Sequence, residues 1–296
     1  MTAAIHRSED ILMAQFGRLA LHTWTIDTTP LAAALEAARE GGFDAVELRR
    51  IDFDRCYEQG MPNDQVLDVI RAAKIPVCTL GCEYGWLFAK GEESTRLFDV
   101  LEETCENAVA LNCPQVMCAP GQNVGTPKEA VENLKRGADI CGKYGLTLAI
   151  EFNSQHAVIN SIPALRAILN GADRPNAGML LDAYHLQRSG AGGRGFADVA
   201  PGEVIAFQFS DVPDAPVPEG VKRPADRLPP GQGIVQWDEV LSLLAEKGYD
   251  GHLNYEAPNP MLWERSSLEV AREGVESMRA LIAKATGQRA TSTRLM

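Results

Sequence analysis

Residues 114–151 read PQVMCAPGQNVGTPKEAVENLKRGADICGKYGLTLAIE, and this stretch decides the fold. An apolar run, PQVMCAP (114–120), is followed by an amphipathic segment that starts on a Thr cap at Thr126 and ends at Gly145, and then by a second apolar run, LTLAIE (146–151). Two short buried strands joined by a helix of this length form a parallel βαβ crossover. Working outward, the same alternation runs from about residue 18 to 285, with strands predicted at RLALHTW (18–24), AVELR (45–49), IPVCTLG (75–81), AGMLLD (177–182), VIAFQFS (204–210) and GHLNYE (251–256). A further helix, PLAAALEAAREGG, carries Pro in its first turn and Gly past its end, the usual start and stop signals. Eight parallel strands close into a single-domain α/β (β/α)8 TIM barrel. A doubly wound sheet would need a Gly-rich phosphate loop after its first strand, and HTWTIDTTP has none.

The expected organisation is an N-terminal extension (1–17), the barrel (18–285) and a C-terminal tail (286–296). Two stretches, SGAGGRGFADVAPG (189–202) and DVPDAPVPEGVKRPADRLPPGQG (211–233), interrupt the regular spacing. Loops this long inside a compact domain are usually functional or mobile.

A formal charge of −12 over 296 residues, with no Lys/Arg cluster, argues against nucleic acid or an anionic membrane as partner. No apolar run is long enough to span a bilayer and MTAAIHRSEDILMAQ lacks a signal-peptide core, so a cytoplasmic location is expected. The seven cysteines sit within apolar runs such as PVCTLGC and read as reduced core residues rather than catalytic thiols.

Four successive strand ends carry oxygen donors: Glu151 in LTLAIE, Asp182 in AGMLLD, Gln208 in VIAFQ and Glu256 in HLNYE. The C-terminal rim is where a barrel keeps its chemistry. One such acid is unremarkable as a helix cap, but four on consecutive strands form an oxygen-rich site suited to a hard divalent cation with positions left for substrate oxygens. Such an ion acts as a Lewis acid on a hydroxy-carbonyl substrate, and Glu151 and Glu256 are the candidate catalytic residues that remove and return a proton through an enediolate.

The blocks AIEFN, LLDAYHL, FQFSDVP, RLPPGQG and GYDGHLNYE resemble successive blocks of the xylose isomerase-like barrel superfamily, over most of residues 18–283. That superfamily includes sugar epimerases, hydroxypyruvate isomerase, inosose dehydratase and dehydroshikimate dehydratase. The resemblance implies metal ligands at Glu151, Asp182, Gln208 and Glu256, with Gln208 standing where the family most often has His. An amide oxygen there favours Mn²⁺ or Mg²⁺, with Co²⁺ and Zn²⁺ as further candidates. It also implies substrate contacts from His185 and Arg227. The endonuclease branch uses several more histidines than the five present here.

His22 and His156 are further candidate substrate-binding residues, the first beside Trp24 at the end of a strand, the second beside Gln155 in the loop after Glu151. Glu47 and Arg49 are expected to form a rim ion pair, and Trp86 and Phe88 to cover a sugar face or to meet a second subunit through GWLF (85–88). Family members often pair, so a homo-oligomer is an expectation by analogy. The function expected is a metal-dependent isomerase or epimerase of a small sugar, keto-sugar or polyol-derived ketone. The alternatives are a dehydratase sharing the first chemical step and a sugar-binding barrel without metal.

Overall fold

The computed structural model describes residues 18–285 apart from positions 218, 220, 222 and 223. The extension (1–17) and the tail (286–296) lie outside the described residues. Every predicted strand run is a strand: β1 Leu19–His22, β2 Ala45–Leu48, β3 Val77–Gly81, β4 Gln115–Cys118, β5 Thr147–Glu151, β6 Ala177–Asp182, β7 Val204–Phe209 and β8 Leu253–Tyr255. They pair in parallel in sequence order and β8 closes onto β1, giving the closed barrel.

The strands look uniformly apolar because both faces are buried, yet side chains alternate in kind along them. Leu148, Ile150, Met179, Leu181, Phe207, Phe209, Leu253 and Tyr255 belong to the large core beneath the helices. The intervening residues form separate inner clusters: Ala149, Leu180 and Ala206 pack with Met117 in one, and Ala20, Ala45 and Cys78 form another. Since side chains on one face recur every second residue, the residues two positions beyond these inner ones, His22, Glu47, Glu151, Asp182 and Gln208, also point into the barrel, at its C-terminal end.

The helix Pro127–Lys143 begins with a capping box in which the Thr126 side chain accepts from the Glu129 amide at 3.3 Å and the Glu129 carboxylate accepts from the Thr126 amide at 2.9 Å. Its Gly137 is required because a Cβ there would meet the Trp86 ring at 2.8 Å. No helix among the described residues is long and apolar enough to cross a membrane.

Four expectations are corrected. The first strand ends at His22 rather than at residue 24, because the His22 ring accepts the Trp24 amide at 3.1 Å and turns the chain into a short 3-10 helix, Thr23–Ile26. Glu47 does not pair with Arg49: it lies fully buried inside the barrel, while Arg49 pairs with Asp27 at 2.6 Å and Asp52 at 2.7 Å. Trp86, Leu87 and Phe88 are core residues, with the Trp86 indole donating to the Cys82 sulfur at 3.2 Å, so GWLF offers neither an aromatic cover nor an exposed contact. The 189–202 stretch precedes β7 and is anchored by buried Phe196 and Val199, with Lys247 donating to the Ala197 and Val199 carbonyls; it does not line the site.

Candidate active site

At the C-terminal mouth lies a cavity of about 560 Å³, within the usual range for small-molecule sites. Glu151 and Glu256 are its two acidic lining residues among those described, joined by His185 and Arg227, with Trp24, Tyr84 and His156 on the walls. Glu151 ends β5, and Glu256 is the first residue past β8, where its amide donates to the Phe209 carbonyl at 3.3 Å.

Asp182 ends β6 and caps the helix Ala183–Arg188 by accepting the Tyr184 amide at 2.9 Å. That short helix brings His185 back over the acids, its Nε2 3.6 Å from Glu151 Oε1 and 3.9 Å from Asp182 Oδ2. Glu151, Asp182 and His185 each offer a donor atom within 4.8 Å of the others, so this buried cluster could hold a metal ion. The tautomer of His185 bears on its part in that cluster. Its Nδ1 accepts the Ser154 amide at 3.3 Å, an arrangement that puts the ring proton on Nε2 and aims a donor, not a lone pair, at Glu151. His185 is therefore suited to binding an oxygen beside the ion, and the acids to binding the ion itself.

Arg227 comes from the loop after β7. The loop is fastened by Asp211, whose backbone pairs with Leu228 in both directions (2.8 and 3.0 Å). The Asp211 carboxylate accepts from the Val212, Gly231 and Val235 amides at 2.9, 2.8 and 3.0 Å and from the Trp237 indole at 2.9 Å. Arg227, 3% exposed, then contacts Asp182 Oδ2 at 2.6 Å and also pairs with Glu256. It stacks over Tyr184 at 4.9 Å.

Deeper in the barrel, His22 Nε2 is 3.3 Å from Glu256 Oε1 and 3.9 Å from Glu47 Oε1. Glu47 Oε1 accepts from Gln208 Nε2 at 3.1 Å, and its other oxygen accepts from Asn254. Neither Glu47 nor Asn254 was singled out as part of the site from sequence; the signal available was their even spacing from the inner residues Ala45 and Glu256. His156 lines the wall, but its Nε2 bonds the Gln122 carbonyl at 2.8 Å and its Nδ1 accepts the Val158 and Ile159 amides at 3.0 and 3.1 Å. Both ring nitrogens are therefore already engaged within the protein.

Burial dominates the electrostatics. It pushes the Glu151 carboxyl well above the usual carboxylate range, with the charges of Glu256 and Asp182 adding to the effect. Asp182 is raised to about 7 by burial despite Arg227, and Glu47 to about 8 by burial and then by Glu256. Burial lowers His22 to about 4 and His185 well below its ordinary value, so both rings are neutral. Arg227 pairs with Asp182 and Glu256 but leaves two buried oxygens, Glu151 Oε1 and Gln208 Oε1, without hydrogen-bond partners. Orphaned buried oxygens call for an explanation, and the donor set fits a divalent cation. The cysteines do not compete for this role: burial pushes Cys78, Cys113 and Cys118 up, and all seven are free.

A closed eight-stranded barrel with carboxylates at its C-terminal rim defines the class, and residues 35–281 match the xylose isomerase-like TIM barrel family, to which the chain belongs. Among individual proteins, the chain is 24% identical to an inosose isomerase from Halalkalibacterium halodurans over 272 residues, covering 88% of this chain and 94% of that one. It is 27% identical to a 3-dehydroshikimate dehydratase from Pseudomonas aeruginosa over 256 residues, 84% of this chain but 39% of that longer one. A crystal structure of the IOLI protein with a bound zinc atom superposes with a TM-score of 0.79 at 22% identity, covering 90% of this chain and 99% of that one.

Proposed function

We propose that the protein is a divalent-metal-dependent isomerase or epimerase of a polyol-derived ketone or keto-sugar, working through an enediolate. The observation that carries the reading is that Glu151 and Glu256, separated by β6 and β7, are the two described acids lining the cavity. Kinship to an inosose isomerase supports the substrate class. Glu151, Asp182, Gln208 and Glu256 would hold the ion, which when bound supplies Lewis acidity that acidifies a C–H next to a carbonyl. The zinc atom in the IOLI structure supports a bound divalent metal without deciding its identity.

The chain's own groups do the rest. The neutral His185 directs Nε2–H at a substrate oxygen, and Arg227 offers a permanent charge and a planar fork to a carbonyl or hydroxyl. One of the two glutamates removes the proton and the other returns it to the opposite face, which inverts the carbon; return to the neighbouring carbon moves the carbonyl instead. The indole of Trp24 and the phenol of Tyr84 line the wall and would limit the access of water to the reacting carbon.

A second reading rests on the dehydratase similarity: the same proton abstraction followed by loss of a β-hydroxyl as water. Incubation with Mn²⁺ and a panel of inososes, hydroxypyruvate and ketohexoses separates the two. A product of unchanged mass is expected; a dehydrated, ultraviolet-absorbing enone would replace this reading with the lyase, and no conversion across the panel would refute both.

A further inference from the structure

Gln208 is fully buried and its amide has two different ends. The NH₂ end donates to Glu47 Oε1 at 3.1 Å, whereas Oε1 has no partner and belongs to a residue paired in register with Asp182 on the neighbouring strand. On the other side of Glu47, Asn254 donates its NH₂ to the second carboxyl oxygen, and the Asn254 carbonyl faces the Cys78 thiol at 3.9 Å. The array therefore has a direction: the NH₂ groups of Gln208 and Asn254 both donate to Glu47, one to each oxygen, so each amide turns its carbonyl oxygen away from Glu47.

We infer that Glu47 is a positioning residue that locks the Gln208 amide so that its carbonyl oxygen, and not its NH₂, is presented to a divalent cation at Glu151 and Asp182. An amide, unlike a carboxylate, offers a metal a donor at only one of its two ends. Were the amide to turn over, NH₂ would face the cation and Oε1 would face the Glu47 oxygens, two repulsions in place of two attractions. Each Glu47 oxygen accepts from one amide NH₂, and this pair of bonds holds one orientation of the two amides. Glu47 touches neither the cation nor the substrate and acts through Gln208.

The inference rests on the metal-dependent reading, so the test begins with wild type. Mn²⁺ is titrated calorimetrically into metal-free wild type, Glu47→Gln, Gln208→Leu and the double variant, each checked for folding by its thermal transition. Glu47→Gln should weaken Mn²⁺ binding by roughly 10- to 100-fold, the usual effect of losing a group that orients a ligand. Gln208→Leu should weaken it similarly, and adding Glu47→Gln to Gln208→Leu should change the affinity by less than about twofold, because coupled residues do not add. Unchanged affinity in Glu47→Gln, or the same further loss in the Gln208→Leu background as in wild type, would overturn the positioning role while leaving the metal site intact. Absence of Mn²⁺ binding by wild type would overturn both. If Glu47→Gln does not fold, Glu47→Asp, which withdraws the carboxylate by one methylene, takes its place with the same expected direction.

Discussion

Replacing Asp211 with Ala removes one carboxylate and strands four N–H donors. The amides of Val212, Gly231 and Val235 and the Trp237 indole all end on its two oxygens at 2.8–3.0 Å, and Asp211 itself is fully buried. Gly233 lies close alongside, where an added Cβ would collide with Asp211 Oδ1 and the Val212 carbonyl. Hydrogen bonds to a charged acceptor contribute about 1.5–3 kcal/mol each and do not sum fully, so a loss of about 3–5 kcal/mol is expected. Asp211→Asn keeps the shape but turns an amide NH₂ toward two of the donors, and should fall between wild type and Asp211→Ala. Urea unfolding monitored by tryptophan fluorescence gives both values. Because the Asp211 backbone pairs with Leu228, next to Arg227, turnover should fall along with stability. A loss below about 1 kcal/mol for Asp211→Ala, or a rank order reversed by Asp211→Asn, would refute the claim that this carboxylate fastens the loop.

Glu151→Gln should leave the melting temperature near that of wild type and lower kcat by about 10²–10⁴-fold, the range for losing a general acid or base; retained turnover would remove Glu151 from the proposed mechanism. Gly137→Ala forces a methyl to 2.8 Å from the Trp86 ring and should cost about 1–3 kcal/mol in chemical unfolding by overpacking. For the metal-free protein, Glu47 binds its proton more tightly folded (about 8) than unfolded (4.5), so its contribution to stability is present at low pH and lost as pH rises toward 8. His22, lowered from 6.5 to about 4, opposes this only below pH 6.5, where its unfolded form takes up a proton. The melting temperature should therefore fall between pH 6.5 and 8, and Glu47→Gln should flatten that slope; an unchanged slope in Glu47→Gln would contradict the assignment.

The barrel was legible because short apolar runs alternate with capped amphipathic segments along the chain: LTLAIE, AGMLLD and VIAFQFS are strands within a residue or two of their predicted bounds. The rim residues were legible for the same reason, since Glu151 and Asp182 end, and Gln208 stands next to the end of, an apolar run whose direction the barrel dictates. What sequence reasoning missed depended on side chains meeting across the barrel. Glu47 reads locally as the partner of Arg49, two residues away, but β2 ends at Leu48 and Arg49 caps the next helix, Arg50–Glu58, while Glu47, still on the strand, turns inward to Gln208 and Asn254, 161 and 207 positions along the chain. Trp86 and Phe88 mislead in the opposite way. Aromatic residues after a strand suggest a cover for the pocket, but Gly137 opens a slot that takes the Trp86 ring into the core, and Phe88 stacks on the far side of His156 at 5.2 Å. No local pattern announces a glycine fifty residues downstream as the receptor for an indole.

The central claim is that Glu151 and Glu256 exchange a substrate proton in a metal-dependent reaction, and deuterium incorporation measures it most directly. The metal-free and Mn²⁺-loaded protein are incubated in deuterated water with inososes and ketohexoses, and the carbon next to the carbonyl is read by NMR. The account predicts deuterium at that carbon with Mn²⁺, little without it, and a loss of about 10²-fold or more in Glu151→Gln or Glu256→Gln. Product formation with no deuterium at that carbon, or incorporation that survives both substitutions, would contradict it.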